Sequence, residues 1–100
     1  MIIMEKENIE TLQQNLQLVI IEIENLNLRK REIELVLDEL SKSKEDTVFK
    51  FVGNVLVKRS KDEIIKELND NKEIIDLRLK NLEKKKEELT QKLKELQKSK

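Results

Sequence analysis

Side chains that could perform catalysis are scarce in this sequence of 100 residues. It contains no histidine and no cysteine, which excludes imidazole acid–base catalysis, disulfides and zinc–thiolate sites. Carboxylate pairs such as Glu87–Glu88 remain, but they fall on a predicted solvated helix face, away from any phosphate-binding glycine loop or metal-ligand spacing. We therefore expect no catalytic residue, no cofactor and no metal, and the candidate functional groups are apolar contact surfaces.

The composition favours long helices over a compact globule, because 42% of residues are charged, 2% are aromatic, and there is one glycine and no proline. Such a composition also occurs in disordered chains, but the regular apolar spacing described below argues against disorder. Residues 1–50 carry 7 basic and 11 acidic groups, and residues 51–100 carry 14 and 10. Opposite charges favour folding one half onto the other. The net charge of zero disfavours a nucleic-acid clamp on the basic half.

Apolar residues recur at alternating spacings of three and four in the first half of the chain, which is the pattern of a coiled-coil seam. Nine of the ten positions are apolar, and the pattern predicts a helix over residues 4–42. These positions are Ile9, Leu12, Leu16, Val19, Ile23, Leu26, Lys30, Ile33, Leu37 and Leu40.

A second seam follows in the last 40 residues, and eight of its ten positions are apolar. The residues Ser60-Lys61-Asp62-Glu63 match a capping box and predict a helix over residues 61–98. The seam positions are Ile65, Leu68, Lys72, Ile75, Leu79, Leu82, Lys86, Leu89, Leu93 and Leu96.

The central stretch, residues 47–59, predicts a β-hairpin. It contains both phenylalanines and the only glycine, and Gly53-Asn54 suits a two-residue type II′ turn. With that turn, Val52 faces Val55 and Phe51 faces Leu56. Both faces of the hairpin are then mostly apolar.

The two periodicities predict one architecture. When two helices run antiparallel, the residue numbers of facing positions add up to a constant. Leu26 with Leu79 and Leu12 with Leu93 both give 105. Hairpin partners such as Val52 and Val55 give 107. We predict a mainly α single domain over residues 1–100, in which a long antiparallel two-helix coiled coil is closed by the hairpin. The seam lysines are expected to extend their charged ends to water.

The hairpin is also the predicted oligomerisation surface. A lone two-stranded hairpin is marginal in water, and its edges carry unpaired backbone groups. We expect hairpins of several subunits to pair edge to edge into an intersubunit β-barrel; the alternative is a hairpin folded onto its own helices. The predicted contact residues are Val48, Phe49, Phe51, Val52, Val55, Leu56 and Val57.

The open end of the coil brings together apolar residues from both ends of the chain, namely Ile2, Ile3, Met4, Ile9, Leu93 and Leu96. If the last turns fray, they expose these residues, and Met4 is a flexible side chain. Alternatively, Leu93 and Leu96 simply close the coil. The apolar segment at the N-terminus is too short for a signal peptide. No apolar segment of the sequence reaches the ~20 residues that span a bilayer. We therefore expect a soluble, cytoplasmic protein without membrane contact.

Taken together, the two helices and the hairpin resemble the prefoldin β-type subunit over essentially the whole chain. The most specific part is V-F-K-F-V-G-N-V-L-V-K-R-S-K-D-E at residues 48–63, with Leu12–Val19 and Leu77–Glu83 in support. The α-type subunits have a longer linker with two hairpins, and residues 41–60 have room for one. The chain departs from the family in having little sequence before its first helix, and in Phe49, where tyrosine is more usual.

The resemblance implies a hexamer of two α-type and four β-type subunits, whose hairpins form a double β-barrel bearing six coiled coils. The coil tips would hold unfolded client proteins without ATP and pass them to a group II chaperonin. The candidate client-binding residues at the tip are then Ile2, Ile3, Met4, Ile9, Leu93 and Leu96. A structural coiled-coil scaffold or adaptor without client binding is the alternative function. An enzyme has little support.

Overall fold

The computed structural model describes the backbone of residues 2–98 and the side chains of residues 9–98. The chain forms helix α1 (Ile2–Lys42), strand β1 (Thr47–Val52), strand β2 (Val55–Ser60) and helix α2 (Lys61–Lys98). Helix α1 begins two residues before the predicted start, and β2 extends one residue beyond the predicted hairpin. Two long helices joined by an antiparallel hairpin confirm the predicted fold class. No helix within residues 2–98 is long and apolar enough to cross a membrane.

Both seams were predicted correctly, since every one of their positions is buried or half-buried. The contacts divide the chain into two compact units, Met1–Leu28 with Leu77–Lys100, and Arg29–Asp76. Ile64, in the first turn of α2, is also buried, although it lies outside the predicted seam.

The first unit is a two-helix coil with a continuous apolar core. Its buried members are Val19 and Ile23 of α1 and Leu82 and Leu89 of α2, and Leu12, Leu16, Leu26 and Leu79 pack against them. This cluster contains both members of three predicted layers: Leu26 with Leu79, Ile23 with Leu82, and Leu16 with Leu89. At about 1.5–3 kcal/mol for each fully buried apolar side chain, such layers are the main source of stability in the coil.

An ion pair flanks this core. Arg78 Nε donates to Glu22 Oε1 at 2.7 Å, and Nη2 donates to the same oxygen. Both residues directly precede seam positions, which is where interhelical ion pairs form in coiled coils. Because the pair is partly exposed, its role is to favour the register rather than to supply much stability.

The second unit contains the end of α1, the hairpin and the beginning of α2. Ile75 is buried, and the predicted seam lysine Lys30 forms an ion pair with Asp76 at 2.6 Å. This hydrogen bond raises the pKa of Lys30. The lysine is therefore accommodated in the seam by a partner on the facing helix.

The loop between α1 and β1 is fastened to the start of α2. The Ser43 amide donates to the carbonyl oxygens of Glu39 and Leu40 at 3.2 and 3.3 Å, which completes the last turn of α1. Lys61 then reaches the loop twice. Its backbone amide donates to the Asp46 carbonyl at 2.9 Å, and its Nζ donates to the Ser43 carbonyl at 2.5 Å.

Half of the predicted capping box forms at the start of α2. The Glu63 amide donates to Ser60 Oγ at 3.2 Å, which satisfies one of the free donors of the first helical turn. The Glu63 carboxylate accepts a hydrogen bond from Arg59 Nε at 3.2 Å rather than reaching back to the Ser60 amide. The arginine, an i,i+4 neighbour in the preceding strand, supplies a charged donor that the capping-box pattern does not consider.

Candidate functional site

The hairpin has the predicted register. Val52 pairs with Val55, Phe51 with Leu56, Lys50 with Val57 and Phe49 with Lys58. Gly53 has a φ of 61°, whereas Asn54 is outside the positive-φ region. A positive φ at the first central residue alone fits the predicted type II′ turn and excludes type I′. A Cβ at Gly53 would meet no atom within 4 Å, so glycine is required there by backbone conformation rather than by space.

Most of the hairpin's apolar side chains are exposed within the single chain. Phe51 is 74% exposed, Phe49 64% and Leu56 52%, and Val52 and Val55 are similarly open. The other two predicted contact residues, Val48 and Val57, are half-buried. The alternative in which the hairpin folds onto its own helices is therefore not the conformation observed. Exposed apolar side chains clustered on one short element are typical of a protein contact surface.

The register assigns the side chains to two faces, because they alternate along a strand and cross-strand partners share a face. The phenylalanine face consists of Thr47, Phe49, Phe51, Leu56, Lys58 and Ser60. The valine face consists of Val48, Lys50, Val52, Val55, Val57 and Arg59. Each face presents an apolar end beside the turn.

The valine face is joined to α2 through a carboxylate that the sequence did not reveal. Glu67 Oε2 lies 3.1 Å from Lys50 Nζ of β1, and Glu67 Oε1 lies 2.7 Å from Arg59 Nη2 of β2. The hydrogen bonds from Arg59 and then Lys50 lower the pKa of Glu67. The bond to Glu67 in turn raises the pKa of Arg59. One carboxylate thus connects both strands to the helix.

A local spacing could have revealed part of this connection. Arg59, Glu63 and Glu67 are four residues apart, which places opposite charges on one side of a helix start. The link to Lys50, 17 residues from Glu67, has no such local signal. It depends on the hairpin register and on the direction in which the valine face is turned.

The predicted residues of the open end lie only partly within the described side chains. Leu93 is buried, and Ile9 and Leu96 are half-buried, so all three belong to the seam in the conformation observed. The side chains of Ile2, Ile3 and Met4 lie outside the described part. Binding of a partner at Leu93 would require the last turns of the coil to open.

Other exposed apolar residues were not among the predicted site residues. Seven such residues lie on the helices outside the seams: Leu18, Ile21, Leu28, Leu35, Val36, Ile74 and Leu77. The hairpin exposes five large apolar side chains within residues 49–56, which is the densest set in the described part of the chain. Among the described side chains, no group of three or more acidic residues is arranged to hold a metal ion.

Comparison with known proteins places this architecture in a family. The family described as "Prefoldin subunit" matches residues 4–99. The chain is 40% identical to the prefoldin subunit beta of Sulfolobus acidocaldarius over 95 residues, which are 94% of this chain and 76% of that protein. It is also 40% identical to the prefoldin subunit beta of Archaeoglobus fulgidus over 73 residues, 72% of this chain and 63% of that protein. The crystal structure of the prefoldin beta subunit from Thermococcus strain KS-1 is similar with a TM-score of 0.85 and 35% identity, covering 95% of this chain and 84% of that one.

Proposed function

This chain belongs to the prefoldin family as a β-type subunit and thus has a chaperone subunit's role, and from that premise we propose that it acts as an ATP-independent holdase. In this proposal it captures unfolded proteins at the coiled-coil tips and delivers them to a group II chaperonin in the cytoplasm. The observation that carries the proposal is the hairpin, whose apolar residues the single chain leaves exposed. A chain with this surface is suited to work as one member of an assembly.

Assembly is the first step of the proposed function. Four copies of this chain and two α-type subunits pair their hairpins into the barrel platform. The exposed Phe51 and Leu56 supply apolar area for that contact, and edge pairing satisfies the outer backbone groups of β1 and β2. These two gains favour a complex through the hairpins over contact through the charged helix faces.

Client capture is the second step, and it uses the open end of the coil. Ile2, Ile3, Met4, Ile9, Leu93 and Leu96 are the proposed contact residues. Since Leu93 is buried in the closed coil, capture includes fraying of the last turns. Each apolar side chain transferred to a client contributes about 1.5–3 kcal/mol at most, so one tip binds weakly. Several tips on one platform raise the avidity through effective concentration.

The test is suppression of the aggregation of an unfolded protein by the assembled complex. A chain lacking residues 1–8 and 94–100 should assemble normally but suppress aggregation less at the same molar ratio. A matched control carries Leu18→Ser and Leu77→Ser, which replace exposed apolar residues outside the seam, and it should suppress aggregation as the wild type does.

The outcomes separate the holdase from the scaffold. A wild-type complex that does not suppress aggregation at near-stoichiometric ratio would be a scaffold rather than a holdase. Unchanged suppression by the truncated chain would show that clients bind elsewhere. Equal losses in the truncated chain and in the Leu18/Leu77 variant would place binding along the coil instead of at its tips.

A further inference from the structure

The hairpin is joined to helix α2 without a loop, because β2 ends at Ser60 and α2 begins at Lys61. Beside this junction, the Lys61 amide donates to the Asp46 carbonyl at 2.9 Å. Both connections lie at the base of the hairpin. Connections at one end of an element act as a hinge, so a contact away from the base must fix the angle between the hairpin and α2.

Glu67 supplies that contact. It lies six residues after Lys61, the first residue of α2, which is about 9 Å along the helix. Glu67 Oε2 is 3.1 Å from Nζ of Lys50, a residue within β1, and Glu67 Oε1 is 2.7 Å from Nη2 of Arg59, which lies beside the hinge. The carboxylate therefore braces the hairpin against α2 at two points, one beside the hinge and one away from it.

This brace differs in its role from the seam of the coil. Glu67 lies outside the seam, whose nearest members are Ile65 and Leu68, so its replacement leaves the apolar layers intact. The side chains of Lys50, Glu67 and Arg59 are 45%, 40% and 29% exposed, and ion pairs with that exposure add little to the free energy of unfolding. Their contribution is direction, because one carboxylate joins both strands to the helix.

We propose that Glu67 is a positioning residue that holds the hairpin in one direction on α2 before subunits meet, and that this raises the rate at which the chain enters its complex. The proposal rests on the proposed function, since it concerns the assembly step. The brace forms within one chain, because Lys50, Arg59 and Glu67 find their partners there. It is therefore in place before any other subunit docks.

The physical reason is the cost of ordering. A hairpin that tilts about its base must be ordered when it docks, which lowers the affinity. The association rate falls as well, because the binding-competent direction is then only a fraction of the population. A braced hairpin is already ordered by folding. Since the brace itself adds no contact to another subunit, its loss should slow association and leave dissociation nearly unchanged.

The test compares Glu67→Gln with Glu73→Gln while the chain is mixed with an α-type subunit. Glu73 is an exposed position of α2 outside the described ion pairs, and both variants remove one negative charge, so electrostatic steering changes alike. Glu67→Gln should lower the association rate constant about three- to tenfold and change the dissociation rate constant less than about twofold. Glu73→Gln should change neither. Stopped-flow light scattering measures association, and dilution of the complex measures dissociation.

A double-mutant cycle separates the brace from a direct contact between subunits. Lys50→Met should also slow association, but it should have no further effect in the Glu67→Gln variant, because both changes break the same link. Additive effects would show that Glu67 acts on the other subunit itself, and they would overturn the positioning role. An unchanged association rate in Glu67→Gln, or equal slowing in Glu73→Gln, would overturn it too.

The direction of the hairpin is measured in the chain alone. Since the chain has no cysteine, Lys58→Cys with Lys66→Cys places spin labels at exposed positions of the hairpin and α2. Glu67→Gln should at least double the width of the distance distribution while circular dichroism shows unchanged helicity, and Glu73→Gln should not change the width. An unchanged width in Glu67→Gln would overturn the positioning role. Failure of the wild-type chain to assemble would overturn the proposed function and the effect on its rate, whereas the width still decides whether Glu67 holds the hairpin.

Discussion

Leu82 in the coil and Leu56 in the hairpin are the same type of residue, yet Leu82 is 7% exposed and Leu56 is 52% exposed. Leu82 packs in a cluster with Val19, Ile23 and Leu89 from the two helices of its own chain. Leu56 has an apolar neighbour across the strand, Phe51, which is itself exposed. The coil therefore buries the apolar groups of its seam within the chain, whereas the single chain leaves those of the hairpin exposed, and in our proposal other subunits cover them.

This contrast separates stability from assembly. Substitutions in the core of the coil should change the free energy of unfolding of the chain. Substitutions in the hairpin should change the association of subunits and leave the helices folded.

Replacing Leu82 with alanine should lower the free energy of unfolding by about 2–3 kcal/mol. This is the lower part of the range for buried leucines, because a coil of two helices can partly close around a small cavity. Leu77→Ala is the matched control in the same helix, where the leucine is 64% exposed, and it should cost less than about 0.5 kcal/mol. Urea titrations at one protein concentration measure both variants. Equal costs would show that the predicted seam is not where the chain gains its stability.

Replacing Ser60 with alanine should lower the free energy of unfolding by about 1 kcal/mol, because it removes the side-chain acceptor of the Glu63 amide. Ser41→Ala, at the other end of the loop region, removes a hydroxyl that donates to the Asp38 carbonyl without capping a helix start. Its effect should be smaller. Thermal unfolding followed by circular dichroism distinguishes the two, and a larger effect of Ser41→Ala would contradict the capping role.

Acid should release the hairpin from α2 with little loss of helix. Because the pKa of Glu67 is lowered in the folded chain, its stabilising contribution is present above the ordinary glutamate pKa of about 4.3. That contribution is lost as the pH falls through the lowered value. The distance distribution between spin labels at Lys58→Cys and Lys66→Cys should be narrow at neutral pH and should broaden only as the pH falls below the ordinary glutamate pKa of about 4.3.

The Glu67→Gln variant is the control for this acid response, since it has no carboxylate at that position to titrate. Its distribution should be broad at both pH values. A wild-type distribution that stays narrow in acid while helicity persists would show that contacts other than this ion pair hold the hairpin in place.

The coil could be predicted from the sequence because its apolar residues follow one rule. An apolar residue must recur every three or four positions to stay on one face of a helix. The constant sum of residue numbers then gives its partner on the other helix, as for Ile23 and Leu82. Gly53 determined the hairpin register in the same way, since the turn conformation that it permits sets which residues face each other.

The attachment of only the valine face to α2 could not be predicted from these patterns. It depends on the ion pair between Lys50 and Glu67. These residues are distant in sequence, and only the direction of the folded hairpin brings them together. Glu63 was assigned to the capping box, but the guanidinium of Arg59 takes its carboxylate. The ion pair of the seam residue Lys30 with Asp76 on the facing helix was not predicted either. Each of these contacts is made by one long charged side chain, and the periodic spacing of apolar residues does not predict where such a side chain binds.

Native mass spectrometry of this chain mixed with an α-type subunit tests the central claim most directly, namely that other subunits bury the apolar hairpin. The wild-type chain should give a hexamer containing four copies of it and two α-type subunits. The chain with Phe51→Glu and Val55→Glu, which places a charge on each face, should give dissociated subunits whose helicity matches the wild type. A hexamer that survives both substitutions would contradict the account.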